Sequence, residues 1–232
     1  MEELMAVSSD DACSSVLRAF AVAHETRFHA TGSENHARSC VGLLERRIPL
    51  LGKLQRFRDQ GEAMCRISNI LRFLSRYSEA TTWFQRARDV GAAHGFFALE
   101  STACTGLGRA AIDAGCHEEG VALLRNALVA AELNELDDPQ YELIALGDLV
   151  EALFTTKSIE EVEPLVLRYR EAAKADREKE GFCLAELDSV VCSARLCEVL
   201  CLCTPRWEPL LAASSLLATR SGRICQRFTC TR

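Results

Sequence analysis

The sequence predicts an all-α chain built as a solenoid of antiparallel helix hairpins, and three observations carry that prediction. Proline and glycine are scarce, five and thirteen in 232 residues, and β-branched residues rarely cluster. Apolar positions return every three or four residues among Ala, Leu, Glu and Arg, the period of one helix face. The chain is also self-similar at about forty residues. A hairpin repeated at that period buries its apolar face only by stacking on its neighbours.

These patterns predict helices over 10–30, 34–47, 60–74, 77–93, 97–114, 117–133, 139–155, 158–175 and 179–202. After the second, Pro49 with Gly52 and the basic stretch 53–58 either kinks the helix or begins a longer connection. Gly115 follows the apolar run of 98–114, where a residue free to turn left-handed ends one helix and lets the chain reverse. In 117–131, Val121, Leu124, Ala127 and Leu128 mark one face, with Glu118, Arg125 and Asn126 largely opposite. Asp138 before Pro139 fits an N-cap with proline at the first helical position, and Ser158 to Glu161 fits a capping box. Beyond 202 the pattern fails: Thr204, Pro205 and Pro209 interrupt it, and 220–232 carries Arg220, Arg223, Arg227 and Arg232 without an acidic residue.

Composition narrows the function classes. With 48% apolar and 26% charged residues the chain is not intrinsically disordered. A net charge of −6 argues against nucleic acid as a partner. No apolar run is long enough to span a bilayer, and the N-terminus has neither the basic start nor the apolar stretch of a secretory signal, so a cytoplasmic protein without a membrane partner is expected. Twelve irregularly spaced cysteines read as reduced, mostly core residues.

The repeat is specific in its residues. Met64, Ile67, Ser68 and Leu71 precede Ala80, Phe84 and Ala87; forty positions on stand Cys104, Leu107, Gly108 and Ala111, then Gly120, Leu124 and Ala127. Forty-two further come Leu146, Leu149, Val150 and Leu153, then Val162, Val166 and Tyr169. Large, large, small, large on a first helix, then small, large, small on a second, resembles the tetratricopeptide repeat, W-x2-L-G-x2-Y followed by A-x3-F. Ala80-x3-Phe84 and Leu107-Gly108 match directly, Ser68 substitutes another small residue, and Val150 departs. The period exceeds the usual thirty-four residues and is similar to the longer repeats of kinesin light chain and Pins-type adaptors, the extra residues falling in links such as 132–138. The resemblance implies a right-handed α-solenoid. It divides the chain into 1–59, N-terminal helices with a degenerate first repeat; 60–175, three repeats; 176–203, the first helix of an incomplete repeat; and 204–232, a basic, irregular tail. In the degenerate repeat Cys40, Leu44 and Arg47 take the second-helix positions, arginine standing where a small residue belongs.

Such a stack presents its first helices on a concave face, where side chains outside the packing stripe meet an extended peptide or a partner helix. Those side chains are Glu62, Cys65, Asn69, Arg72 and Phe73 in one repeat, Thr102, Thr105, Arg109 and Asp113 in the next, and Ile144, Glu151, Phe154 and Thr155 in the third. The expected peptide-binding groove is carried by Asn69, Arg72, Phe73, Thr105, Arg109, Asp113, Glu151 and Phe154, with Asn69, Arg72 and Arg109 offering donors and Phe73 and Phe154 apolar contact. Family members that hold the C-terminal carboxylate of heat-shock chaperones use two lysines, two asparagines and an arginine on this face; only Asn69 falls in a matching slot.

Chemistry is not signalled. Cys192, Cys197, Cys201 and Cys203 point in different directions on a helix and form no C-x2-C knuckle, so no metal is expected. Cys225 and Cys230 define no redox motif. His24-Glu25 with His29 has one residue too many for H-E-x-x-H, setting the imidazoles about 140° apart on a helix. Gly106-x-Gly108 lacks a preceding strand and reads as packing glycine. The expectation is a non-catalytic scaffold or adaptor without a cofactor, binding a protein or peptide. Two other readings stay open: a piece of a larger solenoid that self-associates through its C-terminal end, where Leu210, Leu211, Leu216 and Leu217 lie, and the regulatory region of an enzyme whose catalytic part is elsewhere.

Overall fold

The computed structural model describes residues 2–133, 139–155 and 159–175. Eight helices and no strand occur among the described residues: α1 (Glu2–Thr31), α2 (Glu34–Lys53), α3 (Phe57–Phe73), α4 (Tyr77–His94), α5 (Phe97–Asp113), α6 (His117–Glu132), α7 (Pro139–Thr155) and α8 (Ile159–Ala175). Each packs chiefly on the helix before and after it, and α5 also touches α3 and α7. Contact within the odd-numbered layer makes it the inner side of an α-solenoid. The period is structural as well: α3 starts at Phe57 and α5 at Phe97, forty residues on, and Tyr77 and His117 repeat the interval for α4 and α6.

The turns repeat with the helices. Arg56 N–H donates to the Leu51 carbonyl at 2.9 Å, Arg76 N–H to Leu71 at 2.9 Å, and Cys116 N–H to Ala111 at 2.8 Å. The residue before each donor is left-handed: Gln55 at φ 54°, Ser75 at 59° and Gly115 at 86°. This is the Schellman closure of a helix end. Glycine enters that conformation freely, whereas Gln55 and Ser75 bear a steric cost. Arg56 and Arg76 then each bind an acid three residues on, Asp59 at 2.6 Å and Glu79 at 2.6 Å, in the first turn of the following helix.

Small residues set the hairpin crossings, as the repeat pattern predicts. A Cβ added at Gly108 of α5 would stand 2.7 Å from Leu124 Cγ and 3.0 Å from the Gly120 carbonyl oxygen of α6; one added at Gly120 would stand 3.0 Å from the Gly108 oxygen. The two backbones thus meet directly. Gly106, two residues earlier, faces the Phe84 ring of α4. Ser68 does the same duty in α3, fully buried with its hydroxyl turned back to the Met64 carbonyl at 2.8 Å.

Two boundaries differ from the sequence expectation. α1 begins at Glu2 rather than near 10, and α2 continues through Pro49 to Lys53 where the apolar pattern suggests a stop at 47. Proline removes one donor, yet the turn beyond it buries Leu51 completely and closes through the bond to Arg56, so helix propagation remains favoured. Arg47, at a small-residue position, is buried and donates from Nε to the Ser14 hydroxyl of α1 at 3.2 Å. The small partner has moved to the other helix, which makes room for the arginine. Burial lowers the guanidinium pKa, partly offset by Asp59.

The expected caps at Asp138 and Ser158, the link 134–138, the segments 176–203 and 204–232 and their cysteines lie outside the described residues. Of the five described cysteines, Cys40, Cys65 and Cys104 are buried and Cys13 and Cys116 exposed, all as free thiols. No described helix is long and apolar enough to cross a membrane.

Candidate functional site

The inner face carries a pocket of about 300 Å³ between α3, α5 and the start of α7. Helical spacing builds it: Arg58, Glu62, Cys65 and Asn69 recur at three- and four-residue steps on α3, so they share one face. Ala98, Leu99 and Thr102 of α5 close the opposite side and Tyr141 of α7 an end. Cys65, Ala98 and Leu99 are buried and form an apolar floor. The Thr102 hydroxyl is used internally, donating to the Ala98 carbonyl at 2.8 Å. Arg58 reaches Glu62 at 3.3 Å on the rim, and Arg66 is held by Glu25 of α1. The Asn69 amide and the Tyr141 hydroxyl have no hydrogen-bond partner among the described residues, so the rim keeps two groups ready to donate and accept.

Beside this pocket the inner helices are tied together by ion pairs one repeat apart. Arg66 binds Glu25, 41 residues earlier; Arg72 binds Asp113, 41 residues later, at 2.7 Å; Arg109 binds Asp148, 39 residues later, at 2.5 Å. Each bond joins neighbouring odd-numbered helices. Asp148 has the most buried side chain of these six. Burial pushes its carboxyl up to about 6, against the attraction of Arg109 and, more weakly, Arg72, while Glu151 adds to the rise. One carboxylate oxygen, Oδ2, and Arg72 Nε are buried without a partner among the described residues.

The residues expected to line the groove therefore separate. Asn69, together with Glu62, Cys65 and Thr102, meets in the pocket. Arg72, Arg109 and Asp113, expected to face a ligand, are engaged by the chain's own charges. Phe73 is 55% exposed at the end of α3, its ring under the Arg72 guanidinium at 4.9 Å and edge-on to His29 at 5.6 Å. Thr105 is a correction: it is 4% exposed, because α5 has helices on both flanks as well as inside, which leaves little of its circumference open. Glu151 is exposed and Phe154 half-buried on α7, and Ile144 is exposed; the side chain of Thr155 lies outside the described residues.

Arg58, Arg66, Tyr141, Glu25 and Asp148 belong to this face and were not expected there. The ladder had a signal in the sequence, namely opposite charges recurring one repeat apart. Tyr141 had none, since its place depends on how α7 is set against α3.

The pocket's chemistry favours binding. Its thiol, Cys65, is pushed up to about 12 by burial, with Glu62 and Cys104 adding to the rise, so the thiolate needed for nucleophilic attack is scarce at neutral pH. His24, in the approximate H-E-x-x-H stretch, instead faces His36 of α2, Nδ1 to Nδ1 at 3.1 Å.

No family model matches the sequence, and no curated protein matches it. Solved structures do. The tetratricopeptide-like repeats of a kinesin light chain-like protein from Podosopora anserina superpose with a TM-score of 0.62 at 16% identity, covering 91% of this chain and 98% of that one. A Rap protein complexed with Competence and Sporulation Factor gives 0.60 at 13%, over 93% of this chain and 63% of that one. BtubC from P. vanneervenii gives 0.53 at 10%, over 96% of both. At these identities the likeness establishes a tetratricopeptide-like fold.

Proposed function

We propose that this chain is a non-catalytic scaffold or adaptor that binds a peptide or a partner helix on the inner face of α3, α5 and α7. One observation carries the reading: the pocket joins a buried apolar floor of Cys65, Ala98 and Leu99 to two rim groups, Asn69 and Tyr141, that no other described residue satisfies. An amide with one donor and one acceptor side matches a peptide group, and an apolar recess beside it takes an adjoining side chain. Phe73 and Phe154 extend the apolar contact, with Glu151 an exposed charge at the α7 end. The Rap protein, of the same fold, is complexed with Competence and Sporulation Factor, which supports a binding role for such a fold. We place the protein in the cytoplasm, where buried free thiols stay reduced.

The test is a peptide-array selection followed by titration of the best ligand against Asn69→Ala and Tyr141→Phe. The expected result is a loss of at least about tenfold in affinity for Asn69→Ala, the worth of one hydrogen bond of about 1.4 kcal/mol, with helicity unchanged. Ligands that bind both variants as they bind the parent would place the site elsewhere.

A further inference from the structure

The positive charge around the pocket is already engaged by the chain itself. Arg58 faces Glu62 at 3.3 Å on the rim, and Arg66, which lines the same pocket, is held by Glu25. Beside them Arg72 binds Asp113 at 2.7 Å and Arg109 binds Asp148 at 2.5 Å. Each of these four arginines has an acid of this chain on it, and the charges cancel pair by pair. Glu151, exposed and without an ion pair among the described residues, adds a slight negative excess.

An anionic ligand has little to gain on such a surface. A carboxylate wins one of these arginines only by displacing the acid already bound to it, so one ion pair is exchanged for another. Two of the pairs are also shielded, with 15% of the Arg72 side chain exposed and 10% of that of Asp148. Burial holds the Asp148 carboxyl up at about 6 against the pull of Arg109 and Arg72, with Glu151 adding to the rise. Even the chain's own acid is short of positive charge there. A cation fares no better at the pocket, where it would stand beside Arg58 and Arg66 and over buried Cys65, Ala98 and Leu99. Moving a charge from water onto an apolar floor is costly unless a free counter-charge waits there.

The groups that the pocket does offer are neutral. Asn69 and Tyr141 line it and have no partner among the described residues. A ligand helix uses its backbone N–H and C=O groups internally, four residues apart. An extended segment instead brings both to the Asn69 amide. A chain end brings a carboxylate, for which no unpaired arginine is at hand around this pocket.

Taking the inner face as a peptide site, we infer that the stretch of ligand over this pocket is an extended, uncharged segment from the interior of a polypeptide, with one apolar side chain resting on the floor. The full chain is titrated with short peptides selected from an array of unbiased composition, each made with a free and with an amidated C-terminus. Ligands that lose affinity to Asn69→Ala should bind equally in both forms. Their affinity should change by less than about twofold as salt is raised from about 0.01 M to about 1 M. Asp or Lys placed in turn along the ligand should mark the stretch over the pocket as one where either sign costs at least about tenfold. N-methylation of the peptide bond that faces Asn69 should cost about tenfold in the parent and nothing further in Asn69→Ala. An Asn69-dependent ligand that needs its terminal carboxylate, that weakens about tenfold in high salt or on neutralising one of its own charges, or that is helical when bound would overturn the ligand class and leave the site standing. Ligands indifferent to both Asn69→Ala and Tyr141→Phe would overturn the site, and the ligand class with it.

Discussion

The hairpins α1/α2 and α5/α6 have one architecture and are joined by different means. In α5/α6 the crossing is backbone on backbone: Gly108 and Gly120 each lie within 3.0 Å of the other's carbonyl oxygen, counted from an added Cβ, with Leu107 and Leu124 buried around them. In α1/α2 polar side chains share the crossing. Arg47 Nε meets Ser14 at 3.2 Å, the Cys40 thiol meets the Ala21 carbonyl at 3.2 Å, and His24 meets His36. Glycine on glycine leaves no room for any other side chain, so that crossing keeps its repeat signature. The polar crossing tolerates exchange, and there the signature fades.

That contrast is open to attack at single positions. The largest effect expected is at the glycine crossing: Gly108→Leu must displace Leu124 or part the two backbones, a cost of about 3 kcal/mol, at the upper end for overpacking. A melting temperature equal to the parent's would show that α5 and α6 do not meet there.

A second measurement concerns the ladder that the central hairpins have on their inner side. Burial raises Asp148 above the range of a free carboxyl, to about 6. The folded chain therefore holds this proton more tightly than the unfolded chain between roughly pH 4 and 6. With more protons bound in the native state, stability from this group falls as pH rises through that window and is regained on acidification. Asp148→Asn removes the dependence. The parent should lose on the order of 2 kcal/mol relative to the Asn variant on going from below the window to neutral pH, read by urea denaturation at several pH values. An equal pH profile for both proteins would mean that Asp148 is solvated.

The smallest expected effect has the opposite sign and lies in the N-terminal hairpin. A Cβ added at Gly42 of α2 meets nothing within 4 Å, so Gly42→Ala gains helix propensity without a clash. Stabilisation of roughly 1 kcal/mol should follow. If Gly42→Ala destabilises instead, α1/α2 is as tightly crossed as α5/α6, and the comparison collapses.

Much of this molecule was legible in its residues, and the exceptions share a cause. Six helices, α3 to α8, fall within three residues of their expected bounds, and Gly115 closes α5 with the left-handed turn its position implies. Gly106 and Gly108 prove to be packing glycines facing α4 and α6. Equivalent turns at Gln55 and Ser75 were illegible because neither residue type advertises a positive φ. On the inner face Asn69, Glu62, Cys65 and Thr102, grouped by helical spacing, line one pocket. Arg72 and Arg109 were assigned to a ligand because helical spacing gives the side of a helix on which a residue stands, not the acid that a long side chain reaches on the next repeat.

The sequence by itself determined what local chemistry determines: helix after helix from three- and four-residue spacing, the forty-residue interval, and the small side chains at which hairpins cross. Only the tertiary structure decided which polar groups of the inner layer are spent on one another and which, like Asn69 and Tyr141, have no partner among the described residues. The physical reason is range. A helix is set by bonds between residues four apart, while an ion pair between Arg109 and Asp148 spans 39 residues and forms only once two inner helices, each held by its own hairpin partner, are brought within reach of a guanidinium.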